Sequence, residues 1–220
     1  MQVSRTPEED IESVVERIEE VEARLREAQS EIERLRARLA KAEEAATTDS
    51  LTGIPNRRGF LDLLADLARE ADLGRRPLSL LMVDVDHFKE FNDRFGHDVG
   101  DHVLRLVAHA LTEMAGPDPR LPSLAGRYGG EEFAVALQAT GDQAMGPAER
   151  LREDLARRHF IMRGTGRPLG RITISIGVAE RRLGEEPVHA LRRADTALLT
   201  AKQSGRNRVE RAAVRDRAPA

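Results

Sequence analysis

Arg127-Tyr128-Gly129-Gly130-Glu131-Glu132-Phe133 is the stretch from which the rest of the chain is best read. Two glycines stand between short apolar segments, Leu124 to Tyr128 and Glu132 to Leu137, an order that predicts two strands joined as a hairpin. Without a Cβ, Gly129 and Gly130 let the backbone turn tightly and approach a ligand that a side chain would hold away. Glu131 and Glu132 follow at once. Upstream, the apolar run Leu78 to Val83 predicts a fully buried strand, and Asp84-Val85-Asp86 comes immediately after it. Carboxylates crowded at strand ends repel one another unless a cation neutralises them. Hard oxygen donors with open positions are what Mg²⁺ and a nucleotide phosphate require. Taken singly, either acidic pair also reads as a solvated turn, and the glycine pair as an ordinary hairpin.

Outward from these motifs, helical and strand patterns alternate from Thr48 onward, which predicts an α/β or α+β domain of roughly 160 residues. Helices are expected over Asn56 to Ala71, His87 to Arg94, Asp101 to Met114, Pro147 to Arg158 and Val188 to Gln203. The second and third are separated by a Gly96 to Gly100 turn. A strand is expected from Arg171 to Val178, and Arg208 to Glu210 fits a short edge strand. Residues 211–220 read as a frayed tail.

Before Thr48 the pattern changes. Ile11, Ile18, Leu25, Ile32 and Leu39 alternate with Val14, Val21, Ala28, Leu35 and Ala42 in steps of three and four, with no Gly or Pro, which predicts a coiled coil over residues 1–47. In a parallel dimer the flanking pairs would be Arg17 with Glu22, Glu31 with Arg36 and Arg38 with Glu43, all opposite in sign, so a parallel homodimer is favoured. Such a rod carries no chemistry of its own, and pairing two chains is its simplest role.

Composition agrees with this division. The net charge of −3 splits into −5 over residues 1–48 and +2 over the remainder, and only six Phe and one Tyr serve 220 residues. With no Cys, disulfides, thiolate metal sites and thiol nucleophiles are excluded, in keeping with a reducing cytoplasm. No apolar run approaches the ~18 residues of a membrane span. Negative charge, few aromatics and no basic stripe argue against nucleic acid. His87, His97 and His102 lack the close pairing of zinc ligands.

The opening stretch resembles the signature of the GGDEF family, the bacterial diguanylate cyclases, in its GGEEF form. Further matches lie at Asp49-Ser-Leu-Thr-Gly-Ile-Pro-Asn56-Arg57-Arg58, at Asp84-Val-Asp-His-Phe-Lys-Glu-Phe-Asn92 through Phe95-Gly-His-Asp-Val-Gly-Asp101, at Ile174-Ser-Ile-Gly-Val-Ala179, and at Ala194-Asp195 through Lys202 to Gly205-Arg-Asn-Arg208. The resemblance covers about residues 47–210 and implies a palm-like domain, with a mostly antiparallel central sheet flanked by helices, at 48–210. It implies condensation of two GTP into cyclic di-GMP with release of two pyrophosphates. Mg²⁺ or Mn²⁺ would be held by Asp84, Glu131 and the Val85 carbonyl, with Glu132 supporting the metal or activating the 3′-hydroxyl. Asn92 and Asp101 would read guanine, a task their chemistry suits: a carboxylate accepts from N1–H and N2–H, and an amide pairs with O6 or N3. On their own these two read as a helix-surface residue and a helix N-cap. Lys202 and Arg206 would bind the triphosphate, alongside the helix start near His87 with Phe88 and the weaker candidate Lys89. The bland alternative for Lys202 and Arg206 is a basic helix C-terminus.

One motif departs from the family. The inhibitory Arg-x-x-Asp reads Arg120-Leu121-Pro122-Ser123, and a hydroxyl cannot replace the carboxylate as a paired acceptor, so product feedback is expected to be weak or absent. Two other readings stay open: a catalytically silent domain acting as a receptor for GTP or a cyclic dinucleotide, and a scaffold whose globular end only docks a partner. Retention of the acidic, guanine-reading and basic positions together disfavours the first, and the acidic strand ends disfavour the second. A sensory domain or regulator outside the sequence would fit either cyclase or receptor.

Overall fold

A computed structural model describes residues 7–116, 123–162, 166 and 168–213. The chain divides into two compact units, residues 1–46 and 47–220. The first is occupied by α1 (Pro7–Thr47), a single helix. Its Val21, Leu25, Ile32, Leu35 and Leu39 are all between 47% and 64% exposed, so these seam residues face solvent in the single chain. Arg24 with Glu20, Arg26 with Glu22 and Arg34 with Glu31 pair along the same helix. Exposed pairs of this kind contribute little stability.

The second unit runs α2 (Arg57–Leu73), β1 (Leu78–Val85), α3 (Phe88–Phe95), α4 (His97–Ala115), β2 (Leu124–Arg127), β3 (Glu132–Leu137) and α5 (Gly141–Arg157). There follow β4 (Phe160–Ile161), β5 (Pro168–Gly170), β6 (Ile174–Arg181), α6 (Pro187–Gln203) and β7 (Val209–Arg211). The central sheet has the order β2-β3-β1-β6-β7, antiparallel throughout except for the parallel β6–β7 pair; β4 and β5 form a separate hairpin. This is the mixed α/β palm with a mostly antiparallel sheet that the motifs imply.

β1 explains the layering. Side chains alternate across a strand. Leu81, Val83 and Val85 therefore pack with α4 and α5 residues such as Val107, Leu111 and Leu155. Leu78, Leu80 and Met82 face Phe60 and Leu64 of α2 and Leu191 and Leu198 of α6. Both faces are covered, so every residue of the strand is buried. α6 lies so close on β6 that a Cβ at Gly177 would stand 2.0 Å from the Ala194 carbonyl oxygen and 2.2 Å from the Leu198 nitrogen. Only glycine fits there.

Several boundaries differ from the sequence pattern. β1 continues through Asp84 and Val85, because their backbones still pair with β3 and β6; these residues end the strand and do not follow it. α5 starts six residues before Pro147, where Thr140 and Gln143 form a reciprocal capping box that satisfies the first free N–H groups. α4 opens at His97, so Asp101 lies in its second turn and is no cap; the break after α3 is Gly96 alone, at φ +87°. Arg211, assigned to the tail, belongs to β7, and the Ala212 N–H donates to the Val178 carbonyl at 2.8 Å. Residues 214–220 lie outside the described residues.

The end of β6 is tied to α2 by a partly buried ion pair. The Arg181 guanidinium donates to both carboxylate oxygens of Asp72, at 2.8 and 2.7 Å, and its Nε donates to the Glu185 carbonyl. Arg181, assisted by the Gly184 N–H, holds the Asp72 carboxyl down at about 2, against its ordinary 3.8. A depressed carboxyl contributes stability that is present above its unfolded value and is lost as the pH falls through the folded one. Asp72→Asn should therefore lower the denaturation midpoint near neutral pH, with the gap to the parent narrowing from about pH 4 toward about pH 2. A gap unchanged across that window would contradict the assignment.

Candidate active site

The sheet register brings the acidic motifs together. Asp84, on the central strand, lies opposite Glu132 on β3 and Ser175 on β6, and the Val85 N–H donates to the Glu131 carbonyl at 3.3 Å. Hydrophobic neighbours on both faces draw the end of β1 into the interior, leaving Asp84 only 5% exposed. Burial pushes its carboxyl above the usual range, although Lys202 Nζ stands 2.7 Å from Oδ2 and pulls the other way. Burial, and then the Asp84 charge, raise Glu131 as well. Lys202 arrives from the last turn of α6, a whole motif away in sequence.

A buried carboxyl at Asp84 and a half-buried one at Glu131, both raised, are short of positive charge. Among the described residues no three carboxylate or imidazole side chains form a closed cage. The donor set is two acidic side chains and neighbouring main-chain oxygen, which suits a hard cation that keeps water and phosphate among its ligands. The residues fit a divalent metal.

The turn itself differs in detail from the expectation. Neither Gly129 nor Gly130 has a positive φ, so the tight bend does not demand glycine. A Cβ at Gly129 would stand 2.6 Å from Glu132 Oε2, whereas one at Gly130 would meet nothing within 4 Å. The first glycine thus makes room for Glu132, and the second leaves open space above the turn. Arg127 donates to the Gly130 carbonyl from Nε (3.1 Å) and Nη2 (2.7 Å), and its Nη1 bridges both oxygens of Asp49 at 3.1 Å. Asp49 in turn accepts from the Thr52 N–H and hydroxyl, and Asn56 caps α2 by accepting from the Gly59 N–H. Burial would raise the Asp49 carboxyl, but the bonds from Thr52 and Arg127 outweigh it and hold it low. The first motif is therefore a turn strapped to the glycine hairpin. Asp49 and Arg127 stood in the matched strings but carried no assigned role, because only the folded chain sets them side by side.

The α3–α4 junction carries the positions expected to read guanine. Asn92 Oδ1 is buried without a hydrogen-bond partner, and a Cβ at Gly100 would stand 1.9 Å from it. A buried acceptor left unpaired is costly and marks a place where a ligand donor would be welcome. Asp101 is the next residue along α4. The Phe88 side chain is buried in the core, so it can serve a ligand only through its backbone. His87 precedes it in the left-handed region, at φ +55°, and caps nothing with its side chain. Lys89 and Arg206 are exposed. Ser123 donates its hydroxyl to the Ala115 carbonyl at the end of α4, and Arg120 lies outside the described residues.

A further participant is Asp86. It is 8% exposed and accepts from the Thr173 and Ser175 hydroxyls, both at 2.7 Å, and from the Asn207 N–H at 3.0 Å. It therefore knits β1 to β6 and to the segment that follows α6. Its spacing from Asp84 in the motif is visible in the sequence; its bonds to Thr173, Ser175 and Asn207 are not.

Residues 46–208 match the family model described as diguanylate cyclase, GGDEF domain. The chain is 44% identical over 177 residues to the response regulator PleD of Caulobacter vibrioides, covering 80% of this chain and 38% of that protein. It is 39% identical over 180 residues to the diguanylate cyclase VdcA of Vibrio cholerae, covering 81% and 51%. It thus spans about two fifths to half the length of these curated relatives. Among solved structures, the coiled coil and GGDEF domain of DgcB from Caulobacter crescentus, in complex with c-di-GMP, superposes with a TM-score of 0.80 at 41% identity over 87% of this chain and 99% of that one. The diguanylate cyclase SiaD of Pseudomonas aeruginosa, in complex with its activator SiaC, gives 0.69 at 35% identity over 93% and 78%. Among the described residues no helix is long and apolar enough to cross a membrane. With the signature hairpin, the palm sheet and the family match all falling on the same residues, the chain belongs to the GGDEF family.

Proposed function

We propose that this chain is a diguanylate cyclase that joins two GTP molecules into cyclic di-GMP and releases two pyrophosphates. The observation that carries the reading is the meeting of Asp84, Glu131 and Glu132 at one end of the sheet with Lys202 drawn onto Asp84. Asn92 and Asp101 hold guanine: the orphaned Asn92 acceptor takes a donor from the base, and the Asp101 carboxylate suits the N1–H and N2–H edge and would oppose the N1 lone pair of adenine. Lys202 and Arg206 bind the triphosphate, with main-chain N–H groups at the start of α3, beside Phe88 and Lys89, adding to them. Asp84, Glu131 and the Val85 carbonyl would hold Mg²⁺ or Mn²⁺. When bound, the metal polarises the α-phosphate and neutralises the departing pyrophosphate.

Each 3′-hydroxyl attacks the α-phosphate of the other nucleotide. The new 3′-O–P bond forms in line as the bond to the pyrophosphate oxygen breaks, and Glu132 supports the metal or draws off the hydroxyl proton. One domain holds one GTP, so two domains must face each other, and α1 supplies the pairing as a parallel coiled coil. The domain boundaries are read accordingly, with the coiled coil over residues 1–47 and the cyclase over 48–210.

The test is incubation of the purified protein with GTP and Mg²⁺ and identification of the product by mass. Cyclic di-GMP is the expected product; its absence, with GTP still bound, would favour the receptor reading. Because Ser123 spends its hydroxyl on the Ala115 carbonyl and offers no carboxylate, added cyclic di-GMP should leave the initial rate nearly unchanged. Tight product binding that Arg120→Ala abolishes would overturn that expectation.

A further inference from the structure

Between α6 and β7 the backbone passes through three consecutive left-handed residues: Gly205 at φ +110°, Arg206 at +60° and Asn207 at +46°. Glycine adopts that region freely and Asn does so more readily than most residues, whereas Arg does so only where its surroundings impose it. Here the surroundings are specific. The Arg206 N–H donates to the Ala201 carbonyl at 3.0 Å, and the Arg208 carbonyl accepts from the Ile176 N–H at 2.9 Å, fixing the two sides of the bend. Its centre is Asn207. The Asn207 N–H donates to the buried Asp86 carboxylate at 3.0 Å, and its side-chain oxygen accepts from Arg152 Nη1 at 3.0 Å.

Neither partner is free to drift. Asp86 is held by Thr173 and Ser175. Arg152, on α5, is only 17% exposed and is braced by Glu149 at 2.6 Å and Glu153 at 3.5 Å. The Arg206 side chain, by contrast, is exposed and has no hydrogen-bond or ion-pair partner among the described residues. A rigid backbone carrying an uncommitted guanidinium is the arrangement that saves ordering cost when an anion binds.

We infer that Asp86 and Arg152 are positioning residues that clamp Asn207, one at its N–H and the other at its side-chain oxygen, and thereby preset Arg206 for the triphosphate. The inference rests on the reading of Arg206 as a triphosphate ligand. It also gives the two aspartates of Asp84-Val85-Asp86 different work: the first takes Lys202 beside the acidic signature, the second holds the Arg206 bend. Arg152 belongs to none of the matched motifs; α5 brings it in.

The clamp predicts non-additivity, because a residue that acts only through Arg206 has nothing left to do once that side chain is gone. In the full chain, Arg152→Met should raise KM for GTP about tenfold with a much smaller change in kcat. It should weaken binding of α,β-methylene-GTP, whose carbon bridge blocks pyrophosphate departure, by a similar factor. Arg152→Lys, which keeps a donor, should recover part of the loss. Asp86→Asn should raise KM in the same way while leaving the half-saturating Mg²⁺ concentration within about twofold of the parent, unlike Asp84→Asn. The double variant Arg152→Met with Arg206→Ala should bind the analogue no more weakly than Arg206→Ala alone. Full additivity, or a Mg²⁺ requirement that moves with Asp86→Asn, would overturn the inference. If Arg206→Ala itself leaves both KM and analogue binding unchanged, the triphosphate reading of Arg206 has failed instead, and the two failures are distinguishable.

Discussion

Glu131→Gln is expected to abolish cyclic di-GMP formation while making the folded domain more resistant to heat when no divalent cation is present. The first effect follows from charge. A metal that polarises a phosphoryl oxygen contributes several kcal/mol to the transition state, and each ~1.4 kcal/mol is tenfold in rate, so losing a ligand should lower turnover by about 10³-fold or more. Asp84→Asn should do the same. The second effect follows from the direction in which these carboxyls are shifted. Burial, and for Glu131 the neighbouring Asp84 charge, raise both. A raised carboxyl means that its ionised form costs folding free energy, a cost present at neutral pH and relieved as the pH falls through the folded value. That sign is opposite to the Asp72 case. Replacing the Glu131 carboxylate by a neutral amide of the same shape removes the cost without opening a cavity. A thermal midpoint measured in chelator should therefore rise for Glu131→Gln, and added Mg²⁺ should raise the parent's midpoint but not the variant's. A variant that loses activity and stability together would point to a structural role for Glu131.

Removal of residues 1–46 is the other change with a large expected effect. Val21, Leu25, Ile32, Leu35 and Leu39 stand exposed on α1, and burying side chains of this size in a partner helix is worth about 1.5–3 kcal/mol each before ordering costs. A dimer formed this way holds the second catalytic domain at roughly millimolar effective concentration. At about 1 μM protein, the truncated domain should therefore meet its partner far less often, with specific activity reduced by up to about 10³-fold. The signature is kinetic: the rate per domain should climb with protein concentration for the truncated form and stay level for the full chain. Equal specific activity at dilute protein would show that the catalytic domains pair without the rod.

Much of this was legible in the residue order. The apolar run of β1 announced a buried strand, and the heptads announced α1, because both depend on periodicities that neighbouring residues carry. The signature string placed the hairpin, and the acid pairs at strand ends were visible as a charge problem needing a cation. Where the reading slipped, a local signal was outweighed by another. Pro147 looked like a helix start, but the Thr140 and Gln143 capping box lies earlier and secures the first turn of α5. Asp101 looked like a cap because a polar residue followed Gly100, yet α4 had already begun at His97. The short β4–β5 hairpin gave no periodic signal, since two or three residues are too few to show one.

By itself, then, the sequence determined the family, the fold class, the helical periodicity of α1 and the core strand with its acidic end. Each of these is written in local pattern or in a contiguous motif. Only the tertiary structure decided which residues meet across long separations. It set Lys202 on Asp84, strapped Asp49 and Arg127 to the glycine hairpin, and turned Asp86 and Arg152 toward Asn207. Such contacts depend on strand order, register and the close seat of α6 on Gly177. Those are settled by packing the whole core at once, and no window of the chain contains them.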